Sequence, residues 1–275
     1  MKPAPFDYTR PVDLPGAVKA LAGDGARVLA GGQSLGPMLN LRLARPGLLV
    51  DLRRIEELRR VEGDGDGLVL GAMTTHATIE DGQVPDTTRG MLRRVAADIA
   101  YRAVRTRGTM GGSLAHADPA ADWVTALTAL DATLTVVRAG GTESLPMTRF
   151  MTGAFATALG EGAMLTAIAI PRLSAQARWG YYKICRKPGE FADGIGAVVL
   201  DPARNYRRVV MGAVGGAPVV LDGLAATLPF DGTPNLTRAD IEAAAPVMDA
   251  VDRQLHVVAV ERALAQTYAN GAYAT

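Results

Sequence analysis

The 275-residue sequence contains 48% hydrophobic and 21% charged residues, which is enough apolar content for one large core or two smaller ones. A formal net charge of +1 gives no indication of binding to nucleic acid or to an anionic membrane, and no apolar run approaches the roughly 18 residues that span a bilayer. Cys185 is the only cysteine, so the chain can form no intrachain disulfide and cannot supply the cysteines of an iron–sulfur cluster by itself.

Residues 1–55 predict a small βαβ unit. Val28–Ala30 is a short apolar run that enters a glycine turn, and Leu35–Ala44 has the pattern of a helix that Pro46 would end. Leu48–Leu52 is a compact apolar run typical of a buried strand. We therefore expect these residues to form the first subpart of the fold.

Residues 56–171 predict a mixed sheet with helices as the second subpart. Glu62–Gly67 is a polar hairpin tip, and Leu68–Leu70 is its returning strand. Calcium binding at this tip is disfavoured because a bidentate glutamate at the required distance is missing. The other elements predicted here are helices at Thr87–Ala100 and Ala121–Leu130, a strand at Thr133–Val137 followed by a hairpin tip, and a strand at Met164–Ile170.

Beyond Pro171 the sequence predicts a separate domain, residues 172–275, with a three-stranded antiparallel sheet and two helices. The predicted elements are strands at 179–184, 196–200 and 208–214, a helix opened by a capping box at Thr237 and Asp240, and a helix at Val251–Tyr268. The predicted fold class is α+β, with a two-part domain at residues 1–171 followed by this smaller domain.

The sequence predicts no metal site and no catalytic residue in this chain. His76, His116 and His256 lie far apart along the sequence without metal-ligand spacing, and we expect structural roles for them, with His116 helping to shape a pocket. No Ser-His-Asp signature and no acid–base pair of carboxylates is present.

Two glycine-rich segments carry the strongest functional signal. Ala30–Leu35 has the sequence Ala-Gly-Gly-Gln-Ser-Leu, and Arg107–Leu114 has the sequence Arg-Gly-Thr-Met-Gly-Gly-Ser-Leu. Adjacent glycines allow main-chain N–H groups to converge on a phosphate, and each serine can add a hydroxyl. Neither segment matches the Gly-x-Gly-x-x-Gly or P-loop pattern, which disfavours the common nicotinamide and P-loop nucleotide sites. Either segment alone is compatible with an ordinary turn, but together they predict two halves of one anion-binding cradle.

The residues around both segments resemble the FAD-binding medium subunits of molybdenum hydroxylases. These are the carbon monoxide, nicotine and caffeine dehydrogenase type, related to the flavin domain of xanthine dehydrogenase. The first match runs from Ala30 to Leu52 and the second from Arg105 to Asp122. The resemblance extends from Phe6 to Pro218, which is nearly the whole chain.

This resemblance implies that the chain binds FAD, with the FAD diphosphate between the two glycine-rich segments. The four glycines are interpreted as space for that ligand, because the sequence gives no structural reason for all of them to lack side chains. The residues so assigned are Ala30, Gly31, Gly32, Gln33, Ser34 and Leu35 on one side and Thr109, Gly111, Gly112 and Ser113 on the other.

The resemblance also implies further FAD contacts. Asp122 matches the family acid that accepts hydrogen bonds on the ribose or adenine side, with a helix N-cap as the alternative role. Lys183 matches the lysine near the polar edge of the flavin ring, with a solvent-facing strand lysine as the alternative. Leu165 and Thr166 are expected to offer backbone contacts near the ring. Phe191 stands where relatives often have tyrosine, so any hydrogen bond of that tyrosine is in doubt here.

The implied function is electron transfer within a heteromeric enzyme. A large subunit with molybdopterin cytosine dinucleotide would oxidise the substrate, and a small subunit with two [2Fe–2S] clusters would pass electrons to FAD on this chain. The expected assembly is a heterotrimer or a dimer of heterotrimers that delivers electrons to an external acceptor. The overall sequence resemblance favours a nitrogen heterocycle such as nicotine over carbon monoxide as the substrate.

Two alternatives remain open at the level of the sequence. One is a self-contained FAD oxidoreductase with its own substrate beside the ring. The other is a scaffold subunit that keeps the fold without the cofactor, which the intact glycine segments argue against. Because residues 1–6 lack the apolar segment of a secretory signal, we expect a cytoplasmic location.

Overall fold

The computed structural model describes residues 2–63 and 65–269, so Asp64 in the predicted hairpin tip and residues 270–275 lie outside the described part. Sheets of three, five and four strands and a two-stranded hairpin make up the β-structure of that part. None of its helices is long and apolar enough to cross a membrane. The α+β class predicted from the sequence is confirmed.

The N-terminal unit is a three-stranded parallel sheet with two helices. Its elements are β1 (Asp7–Thr9), α1 (Leu14–Leu21), β2 (Ala26–Leu29), α2 (Leu35–Asn40) and β3 (Leu48–Asp51). The strand order is β1-β3-β2, so the predicted βαβ unit is present with one more strand and helix in front of it. α2 ends at Asn40 and not at Ala44, because Arg42 takes a left-handed backbone conformation with φ 60°.

The middle unit is built around a five-stranded sheet in the order β4-β5-β10-β6-β7. Every pairing in it is antiparallel, so the prediction of a mixed sheet was wrong. The strands and helices of this unit are β4 (Val61–Gly63), β5 (Gly67–Gly71), α3 (His76–Glu80), α4 (Met91–Ala97), α5 (Arg102–Arg105), α6 (Met110–His116), α7 (Asp122–Ala129), β6 (Thr133–Arg138), β7 (Gly141–Pro146), α8 (Met147–Phe150), β8 (Met151–Gly153), β9 (Ala156–Thr157) and β10 (Met164–Pro171).

The helix predicted at residues 87–100 is shorter at both ends. The Asp86 carboxylate accepts hydrogen bonds from the main-chain N–H groups of Thr88 and Gly90, both at 3.0 Å, and this turn delays the start of α4 to Met91. At the other end Ala100 takes a left-handed conformation with φ 43°. The apolar residues Met91, Leu92, Val95 and Ala96 of α4 are buried.

The C-terminal unit is a four-stranded antiparallel sheet covered by helices. Its elements are β11 (Arg178–Ile184), β12 (Gly194–Asp201), β13 (Tyr206–Gly212), β14 (Val219–Val220), α9 (Asp222–Thr227), α10 (Arg238–Ala244) and α11 (Ala250–Ala269). The three predicted strands are present, and the two-residue β14 adds an edge strand that the sequence analysis missed. The capping box of Thr237 and Asp240 at the start of α10 is confirmed.

Helix α7 joins the middle and C-terminal units. All eight of its residues are buried, and it contacts β12 and β13. One hydrophobic core therefore continues from the five-stranded sheet through α7 to the inner face of the four-stranded sheet. The N-terminal unit packs around a separate, smaller core, to which Leu58, Met73 and Met164 of the middle unit also contribute. This arrangement places Asp122, the first residue of α7, between the two larger sheets.

Candidate functional site

The two glycine-rich segments lie against each other in the folded chain. A Cβ atom placed on Gly31 would be 2.1 Å from the carbonyl oxygen of Arg107, and one placed on Gly112 would be 3.4 Å from the Cβ of Ala30. The first segment connects β2 to α2, and the second leads into α6. The structure thus brings together the two segments that the sequence analysis assigned to one cradle.

Two of the glycines are required by the protein's own packing. Beyond the contact of Gly31 with Arg107, a Cβ on Gly111 would be 2.5 Å from the Cβ of Ala72. These distances are too short for any side chain, because real Cβ contacts essentially never fall below 3.0 Å. Gly112 is close to the protein as well, with an added Cβ 2.7 Å from Thr109 Oγ1, and Gly32 has φ 73°, a conformation that favours glycine. The expectation that the chain itself gives no structural reason for these glycines was therefore wrong.

The first segment offers free hydrogen-bond donors. Within the described residues, the main-chain N–H groups of Gly32, Gln33 and Ser34 donate no hydrogen bond to another group of the chain. The Ser34 hydroxyl makes no capping bond to α2 either. Donors of this kind are normally paired, with the protein or with a ligand or water. This segment is therefore suited to hold anionic oxygens.

The second segment differs, because most of its main-chain donors are already used. Met110 N–H donates to the Thr74 carbonyl at 2.9 Å, Gly111 N–H to the Ala72 carbonyl at 3.0 Å, and Gly112 N–H to Thr109 Oγ1 at 3.0 Å. Thr109 is the N-cap of α6. What this segment can still offer to a ligand is mainly the Thr109 N–H and the Ser113 hydroxyl, so the two halves of the cradle are chemically unequal.

A cleft of about 2120 Å³ opens beside the junction of the two segments. It exceeds the roughly 300–1,000 Å³ of a pocket for a drug-sized molecule, so a ligand of dinucleotide size fits within it. All three units contribute to its walls. The predicted residues that line it are Ala30, Gly31, Gly32, Gln33, Ser34, Leu35, Thr109, Gly111, Gly112, Ser113, Asp122, Lys183 and Phe191.

Thr166 is the one predicted site residue that the structure does not bring to the cleft. Its hydroxyl donates to the Thr135 carbonyl at 3.1 Å, and its own carbonyl accepts from Ala72 N–H at 2.9 Å. Both groups therefore serve the packing of the five-stranded sheet. The neighbouring Leu165 lines the cleft instead.

Asp122 and Lys183 form a buried ion pair at the cleft. Lys183 Nζ lies 3.0 Å from Asp122 Oδ2 and donates a second hydrogen bond to the Asp98 carbonyl at 3.2 Å. The Tyr181 hydroxyl donates to Asp122 Oδ1 at 2.7 Å. Burial raises the pKa of Asp122 above its ordinary value, and the Lys183 ammonium and the Tyr181 hydroxyl oppose that shift. Burial beside Asp122 raises the pKa of Tyr181 well above its ordinary value.

This geometry changes two sequence-based assignments. The N-cap of α7 is Ala121, and no side chain caps the helix, so the alternative role of Asp122 as an N-cap was wrong. The proximity of Asp122 to Lys183 also means that the two residues face the same part of any ligand. The family resemblance implies instead the ribose or adenine side of FAD for Asp122 and the flavin ring for Lys183. Lys183 is only 5% exposed, which rules out the alternative of a solvent-facing lysine.

Aromatic residues form part of the rim of the cleft. Phe191 is 69% exposed, and the rim also contains Tyr101 and Phe155, which are exposed to a similar extent. His116 lines the cleft with its ring 5.2 Å from that of Phe155. Exposed aromatic side chains of this kind can stack on a planar ligand. Tyr101 and Phe155 were missed in the sequence, where no spacing or motif singles them out.

The comparison with protein families agrees with this geometry. Residues 4–173 match the family model described as the FAD binding domain in molybdopterin dehydrogenase. This range contains both glycine-rich segments and Asp122. FAD is therefore the cofactor of this domain, and the free donors of the first segment fit a ligand that carries a diphosphate.

Known proteins are similar to this chain over most of its length. It is 35% identical over 225 residues to caffeine dehydrogenase subunit beta of Pseudomonas sp. (strain CBB1), covering 80% of this chain and 76% of that protein. It is 35% identical over 207 residues to the carbon monoxide dehydrogenase medium chain of Hydrogenophaga pseudoflava, covering 74% and 72%. A chain in the solved structure of carbon monoxide dehydrogenase from the same organism, lacking the Mo-pyranopterin moiety, superposes with a TM-score of 0.88 at 30% identity, covering 98% of this chain and 99% of that chain.

The resemblance inferred from the residues around the glycine-rich segments is thereby confirmed. A family domain matched over more than half of the chain, relatives at 35% identity and a shared fold lead to one conclusion. This chain belongs to the FAD-binding medium subunits of the molybdenum hydroxylases, a family of oxidoreductases.

Proposed function

We propose that this chain is the electron-transfer subunit of a heteromeric molybdenum hydroxylase, taking electrons from a partner's [2Fe–2S] clusters and passing them to an external acceptor. The observation that carries the proposal is one cleft lined both by the free donors of Gly32, Gln33 and Ser34 and by the buried Lys183–Asp122 pair. Bound FAD supplies electron exchange in one- and two-electron steps. The chain's own residues hold and orient it.

In this proposal the first glycine-rich segment and the Ser113 hydroxyl hold the diphosphate, and the Lys183–Asp122 pair lies at the polar edge of the flavin ring. The Lys183 ammonium is fixed by two acceptors, Asp122 Oδ2 and the Asp98 carbonyl. A fixed cation in a water-poor site stabilises negative charge that develops beside it without reorganisation. The role of Asp122 is then to hold Lys183, and not to bind the ribose or adenine.

The proposed electron transfer requires partner subunits. The single cysteine of this chain cannot hold [2Fe–2S] clusters, so we place two of them on a small subunit and molybdopterin cytosine dinucleotide on a large subunit. The names of the relatives, a subunit beta and a medium chain, support a multi-subunit assembly. We propose that the assembly is a heterotrimer or a dimer of heterotrimers in the cytoplasm. Within this chain we propose two domains, residues 1–171 and residues 172–275.

The substrate of the assembly belongs to the large subunit. We propose a nitrogen heterocycle as the substrate, because the overall sequence resemblance favours this class. Sequence identity does not discriminate between the candidate substrates, because the relatives named for caffeine and for carbon monoxide are both 35% identical to this chain. Turnover assays on the assembled enzyme with nicotine, caffeine and carbon monoxide would decide between them.

An absorption spectrum of the purified chain tests the proposal. We expect flavin absorbance without iron–sulfur absorbance, and release of FAD on heating. Reduction of the bound FAD should require the partner subunits and their substrate. Substrate oxidation by the isolated chain would instead indicate a self-contained oxidoreductase, and a colourless chain that takes up no added FAD would indicate a scaffold.

A further inference from the structure

His76 is a buried histidine whose hydrogen-bonding state is set by Trp123. Trp123 Nε1 lies 3.0 Å from His76 Nδ1, and both side chains are buried, with His76 only 4% exposed. An indole N–H can only donate, so Nδ1 must accept. In a neutral imidazole the single proton is then on Nε2.

The His76 ring forms part of the cleft wall, and its Nε2 has no hydrogen-bond partner within residues 2–63 and 65–269. Nε2 lies 2.8 Å from the position that a Cβ on Gly108 would take. Gly108 follows Arg107, whose carbonyl oxygen contacts Gly31. The free Nε2–H is therefore at the point where the two glycine-rich segments meet.

The ring stays neutral at physiological pH. Burial, with a smaller contribution from the positive charge of Arg105, lowers the pKa of His76 to about 4. A neutral imidazole keeps one proton on Nε2 as long as Trp123 donates to Nδ1. His76 thus presents a fixed N–H donor without bringing a charge into the cleft.

We propose that His76 Nε2–H donates a hydrogen bond to the FAD diphosphate, and that Trp123 is the positioning residue that fixes the required tautomer. This donor adds to the few that the second glycine-rich segment can offer, because the N–H groups of Met110, Gly111 and Gly112 are bonded within the protein. The inference rests on the proposed FAD site and adds to it a residue outside both glycine-rich segments.

The test compares two variants by titration of the flavin-free full-length chain with FAD and with riboflavin, which lacks phosphate. His76→Phe keeps a ring but removes the donor, and we expect FAD affinity to fall roughly tenfold to a hundredfold, as for a hydrogen bond to a charged group. His76→Gln can accept from Trp123 and still donate, so most of the FAD affinity should return. Riboflavin affinity should change less than about twofold in both variants.

A matched control removes another buried histidine. His256 contacts the carbonyls of Asp252 and Ala213, away from the cleft, and His256→Gln should leave FAD affinity unchanged even if it lowers Tm. Equal weakening by His256→Gln and His76→Phe would assign the effect to general destabilisation and overturn the proposal.

Nitrogen NMR of the wild-type chain tests the proposal independently of variant folding. We expect His76 in the Nε2–H tautomer, with an Nε2 shift on FAD addition, and a mixture of tautomers in Trp123→Phe. An Nδ1–H tautomer, or Nε2 shifts insensitive to FAD, would overturn the proposal. Wild-type protein that binds no FAD would refute the FAD site itself. If the wild-type protein binds FAD and His76→Phe binds it with the same affinity, only the role of His76 is refuted.

Discussion

At the scale of single residues, the buried Lys183–Asp122 pair is the feature that the sequence could not place. Both residues were recognised as site residues, but they are 61 positions apart and lie in different units. Their contact depends on the packing of α7 against the C-terminal sheet, which local sequence patterns do not encode. For the same reason His76, which pairs with Trp123 47 positions away, had no sequence signal.

Loss of Lys183 should be costly for stability. Lys183→Met leaves the Asp122 carboxylate buried without its cation, and we expect a loss of about 3–5 kcal/mol in the free energy of unfolding. Urea denaturation at pH 7 would measure it. Part of that loss should return in the double variant with Asp122→Leu, because the remaining charge is then removed as well.

The matched control for this prediction is an exposed ion pair at the rim of the cleft. Arg186 pairs with Glu190 at 3.3 Å and is 83% exposed, so Arg186→Met should cost less than about 1 kcal/mol. If Lys183→Met were as mild as Arg186→Met, the buried pair would have no structural importance.

At the scale of elements, the sequence located most strands and the helices α2, α4, α7, α10 and α11, but not all of their ends. It missed the other helices, among them α1 and α9. Long apolar patterns such as that of α11 and the capping box of α10 were sufficient for correct prediction. The ends of α2 and α4 depend on left-handed residues and on the Asp86 side-chain turn, which a periodic pattern does not contain. β14, with two residues, is too short to give a pattern.

The contact between the two glycine-rich segments should tolerate no side chain. Gly31→Ala would place a Cβ 2.1 Å from the Arg107 carbonyl oxygen, which forces the β2–α2 connection away from the second segment. We expect FAD affinity to fall more than about tenfold and Tm to drop by several degrees. FAD titration and thermal unfolding would measure the two effects.

Gly36→Ala is the matched control for this variant. Gly36 lies in α2 with no atom within 4 Å of an added Cβ, and it is not part of the cleft wall. Alanine should raise helix stability by up to about 1 kcal/mol there without changing FAD affinity. Similar FAD affinity in Gly31→Ala and Gly36→Ala would contradict the assigned contact.

At the scale of the whole molecule, the sequence predicted the α+β class, the order of the three units and the meeting of the two glycine-rich segments. It did not predict how the units share their cores. The middle and C-terminal units are joined by one continuous core through α7, whereas the N-terminal unit packs around a separate, smaller core. This difference arises from side-chain packing between distant segments.

FAD should stabilise the N-terminal unit most. That unit supplies the free donors of the cradle but packs around the smaller core, so its opening is expected to cost less than global unfolding. Hydrogen exchange measured by mass spectrometry should show the largest FAD-dependent gain in protection at β2 and α2. α10 and α11 lie away from the cleft and should change little. A gain confined to the C-terminal sheet would contradict this expectation.

The composition of the cleft wall also constrains when the cofactor can enter during biosynthesis. The wall begins near Val18 and is completed by Asp193, at the end of the loop between β11 and β12. A ribosome-bound chain that has emerged only through the second glycine-rich segment has the diphosphate cradle but not the Lys183 wall. With FAD bound as proposed, we expect flavin loading to follow translation of β11, and truncated products that end before β11 to lack a complete site.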